Sequence, residues 1–564
     1  MRSDTVSGLL RRQASVTPDV PFLWTDGTWI SYAETAGRSD KLAAGLQSLG
    51  VGPGDRVAVV LPNEQAAVLA VFACARLGAI QVPLNTFLRG EFLRHQLADC
   101  SASVVITDAP GLDQIRRMES VLPDLTSVIL VGVGEGDASP SEYFELKRYA
   151  DVIATSHEPT FPEVSGTDLF SILYTSGTSG LPKGCLISHR YASNIGKTLG
   201  EVGRFETGDR VLTASPLFHT SGQIFAMVSV LHQGGSIAFE REFHASTFIE
   251  HAGELEATAV FGVGAVGAMI LAQPPRPTDR GHRLERAIFN GLPAEKQLAL
   301  EKRFGFRLIG EMYGHTEFVP ITASRADGPR ARASGGFPLP DVEVRVVDED
   351  DVPVSAGQVG EIVARPKRAG IMFDGYWNNP EATLDTWRNL WHHTGDYGRF
   401  DERGFIYFVD KKKEAIRRRG EFVTARELEG AILNHPAVAA VAVHGVPSEL
   451  TEEEIKAWIV PEEGVLFTPE DLFSFFTEEL PYFAIPRFVE LVRELPMNQS
   501  ARVMKHELKA RPHTENTWDL QLLGLIVSRD DRRVSGSPTA RDSAARTRWE
   551  VTTSRLMGVR RKDG

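Results

Sequence analysis

Between residues 56 and 131, short β-branched and apolar runs alternate with helical patterns, which favours a mostly parallel sheet covered by helices on both faces. Residues 56–62 (RVAVVLP) read as a buried strand. Asn63 is placed to cap the next helix, whose apolar positions Ala67, Val68, Val71 and Phe72 keep helical spacing until Gly78 stops it. Residues 79–83, 103–107 and 127–131 repeat the strand pattern. Strands at 210–214 and 236–240 and helices at 245–252 and 294–304 carry it further. From Val342 the texture turns to short alternating strands punctuated by glycine (VEVRVVD, GEIVARP, GFIYFVD), which predicts a small barrel-like end to this large unit.

Near Asp410 a basic run begins, Lys411–Lys413 and then Arg417–Arg419, and the α/β pattern restarts on a smaller scale. A helix is expected at 425–434, strands at 438–444 and 456–460, and a helix at 469–479. The expected fold class is therefore α/β: a large multi-subdomain N-terminal domain over 1–409 and a small α+β C-terminal domain over 410–528. Residues 529–564 hold ten Arg/Lys against five acids and few large apolar side chains. Such a segment cannot offset its ordering entropy and is expected to be a disordered basic tail, which leaves a role in binding an acidic partner open.

Composition narrows the function. No run approaches the ~18 consecutive apolar residues of a membrane-spanning helix. The opening MRSDTVSGLLRRQASV lacks the apolar centre of a secretory signal, so the cytoplasm is the expected compartment. Cys74, Cys100 and Cys185 form no CxxC pair, which excludes a disulfide scaffold and a cysteine-rich zinc site. With 61 basic residues against 74 acidic ones, the net charge of −13 argues against a general nucleic-acid binder. Oligomeric state is not legible.

The most informative stretch is Tyr174 to Gly184, YTSGTSGLPKG, which follows a strand-like apolar run at 169–173. Thr175, Ser176, Thr178 and Ser179 offer hydroxyls, and Gly177 and Gly180 let backbone N–H groups approach an anion. Lys183 adds a point charge, and Pro182 restricts the backbone just before it. The lysine does not directly follow a glycine, so this is not the GxxxxGK[ST] phosphate loop.

These eleven residues resemble the signature of the adenylate-forming superfamily, which holds acyl- and aryl-CoA synthetases, luciferases and nonribosomal-peptide adenylation domains. The resemblance runs over roughly residues 5–528 and includes further motifs in order: PLFHTSG (216–222), NGL (290–292), YGHTE (313–317), WHHTGD (391–396) and GFIYFVDKKKE (404–414). It implies ATP, Mg²⁺ and, as co-substrate, coenzyme A. Residues Thr175 to Gly180 and Lys183 would cradle phosphates, and Asn290, Gly291 and Leu292 would pack on adenine. Tyr313 and Gly314 would stack beside that base, Thr316 would meet the α-phosphate, Glu317 would hold Mg²⁺, and Asp396 would grip the ribose. His219 would act as a gate or thiolation residue near the acyl carbonyl, His315 would tune the pocket, the basic run from Lys411 would face the phosphates of ATP or coenzyme A, and the small domain would be mobile, rotating about Asp410.

The implied chemistry has two halves. A carboxylate attacks the α-phosphate, giving acyl-AMP and pyrophosphate; a thiol then takes the acyl group. The protein positions anions and neutralises charge, with no side-chain nucleophile. The chain departs from the family pattern at three places. Arg502 stands where a lysine reaches the substrate carboxylate, with Ala501 for glycine and Lys505 at the later basic position. Lys411 replaces the arginine after the hinge aspartate, and Phe422 replaces an asparagine. Arginine keeps the charge but spreads it over a plane, which leaves acceptor identity and the alignment of the attacking anion open alongside neutral drift.

The leading expectation is an acid–CoA ligase acting on a small-molecule acid. A second is an adenylating enzyme with another acceptor or anion: a carrier-protein thiol, an amine, or a small oxyanion such as nitrite. A third is a nucleotide-binding pseudoenzyme. Pocket walls are expected from 219–225, 261–267 and 310–319, with Gly262, Gly264 and Gly267 leaving space and Phe261, Met312 and Phe318 consuming it.

Overall fold

The strand pattern builds two seven-stranded sheets. In the first, the order is Glu145–Arg148, Ser127–Leu130, Val104–Thr107, Arg56–Val60, Ile80–Pro83, Leu169–Thr175 and Lys183–Ser188. All its neighbours run parallel except the last pair. In the second, the order is Arg307–Leu308, Arg286–Asn290, Ala259–Val263, Arg210–Thr213, Ser236–Phe239, Pro21–Thr25 and Thr28–Ser31, parallel up to a closing antiparallel hairpin. The structure is a computed structural model that describes residues 4–132, 140–175, 181–309, 311–411, 415–418, 421–448, 453–497 and 503–527, with the backbone alone described at 410, 411, 415, 417, 421, 422, 424, 426 and 506.

The helix Gln65–Leu77 buries nearly all its residues, from Ala66 to Leu77, and packs in the principal core with strands of both sheets. Helices buried all round are the ones lodged between layers. Gly78 ends it in the left-handed conformation, φ +67°, as the sequence predicts. Asn63 does not cap it. Its amide donates to the carbonyls of Ser215 and Glu240 and its carbonyl accepts from the Leu217 N–H, so it stitches the loop after Arg210–Thr213 to the other sheet. A buried long-range demand outcompetes the local cap. The expected helix at 245–252 forms later, over Phe248–Glu254.

The glycine-punctuated end forms a five-stranded antiparallel sheet: Val342–Val347, Gly360–Pro366, Trp391–Phe400, with Trp387–Arg388 and Ile406–Lys411 both paired to Trp391–Phe400. The small C-terminal domain carries the hairpin Ala415–Arg418/Glu421–Thr424, the helices Ala425–Leu433 and Pro469–Glu479, and the sheet Val438–Pro447, Glu453–Pro461, Phe488–Leu491, Trp518–Asp519. No helix among the described residues is long and apolar enough to cross a membrane.

Two buried histidines set an acid limit to stability. Burial lowers His189 to about 4, and burial with the neighbouring His315 lowers His392 to about 3. Both are neutral in the folded chain, whereas below pH ~6.5 the unfolded chain takes up their protons. Stability therefore falls as pH drops from 6.5 towards those values, by up to about 1.4 kcal/mol per pH unit for each group. Melting temperature followed against pH checks this, and His189→Gln should flatten the slope.

Candidate active site

The phosphate stretch joins two antiparallel strands. Tyr174 faces Gly184 and Thr175 faces Lys183, so Lys183 opens a strand and not a helix. Ser176, Gly177, Thr178, Ser179 and Gly180 lie outside the described residues. Thr175 Oγ1 lies 3.7 Å from Cys185 Sγ, and the Lys183 ammonium sits 5.1 Å from the centre of the Tyr376 ring. A Cβ on Gly184 would meet Ile172 at 2.6 Å and Trp377 at 3.3 Å; glycine there lets the 376–377 segment cross the strand, where the Trp377 N–H donates to the Gly184 carbonyl.

Tyr313–Glu317 spans the strand Met312–His315 and the turn into Phe318–Ala323, with a register shift between Tyr313 and His315. A Cβ at Gly314 would lie 2.8 Å from the Phe318 carbonyl, so glycine is needed for this close return. The Tyr313 hydroxyl donates to Asp396 Oδ2 at 2.9 Å, linking the two residues assigned to the nucleoside. Burial, then the Asp396 charge, pushes that phenol well above its ordinary value. Asp396 lies on Trp391–Phe400, and register places position 411 opposite it on Ile406–Lys411.

Glu317 is 8% exposed and fully engaged. Tyr376 donates its hydroxyl to Oε1 at 2.7 Å, and His315 Nδ1 meets Oε2 at 2.7 Å. His315 in turn stacks on His392, with ring centroids 5.0 Å apart and the Nε2 atoms 3.3 Å apart. Burial pushes the Glu317 carboxyl up, but the His315 charge and the bonds from His315 and Tyr376 outweigh it and hold the group well below the carboxylate range. Thr316 Oγ1 lies 3.2 Å from Thr220 Oγ1, which brings the segment carrying His219 beside this centre. His219 itself packs against Phe218, ring centroids 5.1 Å apart.

Asn290 ends a parallel strand at its C-terminal edge, the usual ligand edge of such sheets. Its Oδ1 is buried without a hydrogen-bond partner among the described residues, an acceptor fit for a polar ligand edge such as a purine. Gly291 adopts φ +79°, and Leu292 is buried. Three expected pocket glycines turn out otherwise. The Cβ positions of Gly262 and Gly267 face the Phe289 ring, and that of Gly264 faces the 290–292 backbone at 2.8–2.9 Å. They serve close packing of the Gly264–Leu271 helix on the neighbouring strand and open no room for substrate. Phe318 is fully buried against His392, behind the site.

Mg²⁺ commonly binds through one or two carboxylates plus substrate phosphates. The described residues contain no cluster of three or more His, Cys, Asp or Glu able to hold a metal by themselves, and Glu317 is one carboxylate held ionised, so the fit is to a metal that arrives with phosphates. All three cysteines are buried and free; burial pushes Cys74 and Cys100 up to about 12 and Cys185 well above its ordinary value, so none supplies a thiolate. Arg502 and Ala501 lie outside the described residues, as do the side chains of Lys411 and Phe422. Lys505 is paired with Glu429 at 2.8 Å. Sequence reasoning missed Tyr376 and His392; a histidine pair beside Asp396 was the only signal for the second, and the first had none.

The family pattern for AMP-binding enzymes matches residues 10–377, and that for their C-terminal domain matches 427–502. A feruloyl-CoA synthase of an Amycolatopsis species is 31% identical over 91% of this chain and 100% of its own. A crotonobetaine/carnitine–CoA ligase of Salmonella paratyphi B is 32% identical over 85% of this chain and 93% of its own. Among solved structures, the amide bond synthetase McbA from Marinactinospora thermotolerans superposes with a TM-score of 0.76 at 25% identity, over 89% of this chain and 99% of that one. The chain belongs to the AMP-binding enzymes, as a member of the adenylate-forming superfamily. Within it the chain is an AMP-forming ligase of the acid–thiol type.

Proposed function

We propose that this enzyme activates the carboxylate of a small-molecule acid with MgATP and passes the acyl group to a thiol, coenzyme A first among them. The observation that carries this reading is the chain of contacts that sets the Lys183 ammonium over Tyr376 and the Tyr376 hydroxyl on Glu317, with Thr316 next to it and the Tyr313–Asp396 pair on the same 313–317 segment. The substrate carboxylate oxygen attacks the α-phosphorus in line, and pyrophosphate leaves with the electron pair of the broken P–O bond. Lys183 and the hydroxyls from Thr175 to Ser179 bind the phosphates. Thr316 faces the α-phosphate, and the metal ion, when bound through Glu317, supplies charge neutralisation. Asp396, held by Tyr313, accepts from the ribose, and Asn290 to Leu292 flank the base. His219 borders the acyl end. Arg502 and Lys411 come from the small domain, taken as residues 410–528 and turning about Asp410 between the two half-reactions; the large domain is 1–409 and the basic tail 529–564. The cytoplasm is the proposed compartment.

The two curated relatives act on chemically different acids, so the supported substrate class is a carboxylic acid of small or medium size. A second reading keeps the adenylation and changes the acceptor to an amine or a carrier thiol, or the anion to nitrite; arginine at position 502 and the likeness to an amide bond synthetase favour it. A screen of acids with ATP and Mg²⁺, with and without coenzyme A, amines or nitrite, separates the two. AMP release that needs the acid and rises with coenzyme A supports the first reading. Release indifferent to coenzyme A but raised by an amine supports the second.

Asp396→Asn weakens nucleotide binding in this scheme. Loss of a charge-assisted hydrogen bond is worth about 1.5–3 kcal/mol, so KM for ATP should rise about ten- to a hundredfold. Tyr313→Phe should produce a smaller rise, since it only frees the carboxylate.

A further inference from the structure

The helix Gly90–Cys100 touches both the small domain and the two ends of the phosphate stretch. At its C-terminal end, Asp99 Oδ2 accepts from the Tyr174 hydroxyl at 2.6 Å. The Asp99 carbonyl accepts from Trp377 Nε1 at 2.9 Å and from Asn378 Nδ2 at 3.2 Å. One turn earlier, His95 Nε2 lies 3.1 Å from the Pro182 carbonyl, next to Lys183. His95 and Asp99 stand four apart, on one face of the helix. One short rod therefore holds the chain on either side of the phosphate stretch, at Tyr174 and at Pro182.

Its other end carries the small domain. Arg89 Nη1 donates to the Thr477 carbonyl at 3.0 Å, and the Phe87 ring meets Tyr482 edge-on at 4.5 Å. A Cβ at Gly90 would stand 3.2 Å from Glu479 Oε2, so the end of the Pro469–Glu479 helix sits directly on the first turn. The 11 residues of the helix span only about 16 Å.

We propose that this helix relays the seating of the small domain to the phosphate stretch, with His95 and Asp99 as positioning residues that set where Lys183 stands. The inference rests on the two-step reading above. Because both sets of contacts are made in one arrangement, each stabilises the other: seating at Phe87 and Arg89 tightens the grip at Pro182 and Tyr174, and a bound triphosphate favours seating. Such coupling is reciprocal by thermodynamic necessity.

The test is a double-mutant cycle on the full-length enzyme, with Arg89→Ala as the seat variant and His95→Ala as the grip variant. MgATP affinity is read by calorimetry and adenylation by ATP–pyrophosphate exchange. His95→Ala should raise KM and Kd for ATP more than it lowers kcat, with His95→Gln, which can still donate to Pro182, restoring most of the loss. The double variant should lose less than the product of the single losses, by about fivefold or more. Tyr174→Phe, which removes one hydroxyl, repeats the cycle where alanine at 95 destabilises the fold, and Phe87→Ala does so for the seat. Losses that simply multiply, or His95 and Tyr174 variants with wild-type ATP affinity, overturn the relay. A wild-type enzyme that neither binds MgATP nor exchanges pyrophosphate overturns the adenylation reading instead.

Discussion

Lys183→Met lowers the rate of acid-dependent AMP formation by about 10²–10³-fold, the usual cost of deleting one well-placed electrostatic contact in a site. Lys183 opens a strand whose register with Thr175 fixes its backbone, and its ammonium lies over the Tyr376 ring. The side chain is only part-buried, so its loss leaves the core packing unchanged. The melting temperature should stay near the wild-type value while the rate collapses. Lys183→Arg keeps the charge but not its point-like shape and should recover only part of the rate. Initial rates at saturating ATP, beside thermal melts, check both statements.

Glu317→Gln has a double effect. The carboxylate is buried and holds Tyr376 on one oxygen and His315 on the other. Replacing it weakens the bonds from Tyr376 and His315, and hydrogen bonds to a charged group are worth about 1.5–3 kcal/mol. The same change removes the carboxylate assigned to Mg²⁺, so AMP formation should fall by about 10²–10³-fold or more and the Mg²⁺ concentration for half-maximal rate should rise. The pH dependence follows from the lowered carboxyl pKa. A depressed carboxyl contributes stability that is complete above its unfolded value near ~4.3 and lost only as pH falls through the folded value. Wild-type protein should thus keep this contribution at pH 5, and the difference in stability between wild type and Glu317→Gln should shrink only in stronger acid. Denaturant midpoints at several pH values measure it.

What could be read in advance, and what could not, follows the range of the forces involved. Periodicity located most strands and helices, because burial on one face or both writes itself into local sequence. Tyr174–Gly184 announced an anion site through residue type alone. Its hairpin geometry was hidden, because the pairing of Thr175 with Lys183 depends on a bare Gly184 that admits Trp377, nearly two hundred residues away. Asn63 looked like a cap and serves a distant loop. Gly262, Gly264 and Gly267 looked like room for substrate and are filled by Phe289 and by backbone. The shell around Glu317 comes from Tyr376, 59 positions away, and from His392, which reaches it through His315 across 77 positions. No local pattern encodes such pairings; they exist only once two sheets and a hairpin have been brought together.

The most direct measurement follows oxygen. An acid that turns over in the screen, labelled with ¹⁸O in its carboxylate, is incubated with ATP, Mg²⁺ and coenzyme A, and the nucleotide product is weighed by mass spectrometry. Attack by the carboxylate on the α-phosphorus, followed by transfer to a thiol, leaves one labelled oxygen on each AMP and none in pyrophosphate. Unlabelled AMP, or ADP with label in inorganic phosphate, would contradict an acyl-adenylate made at this site.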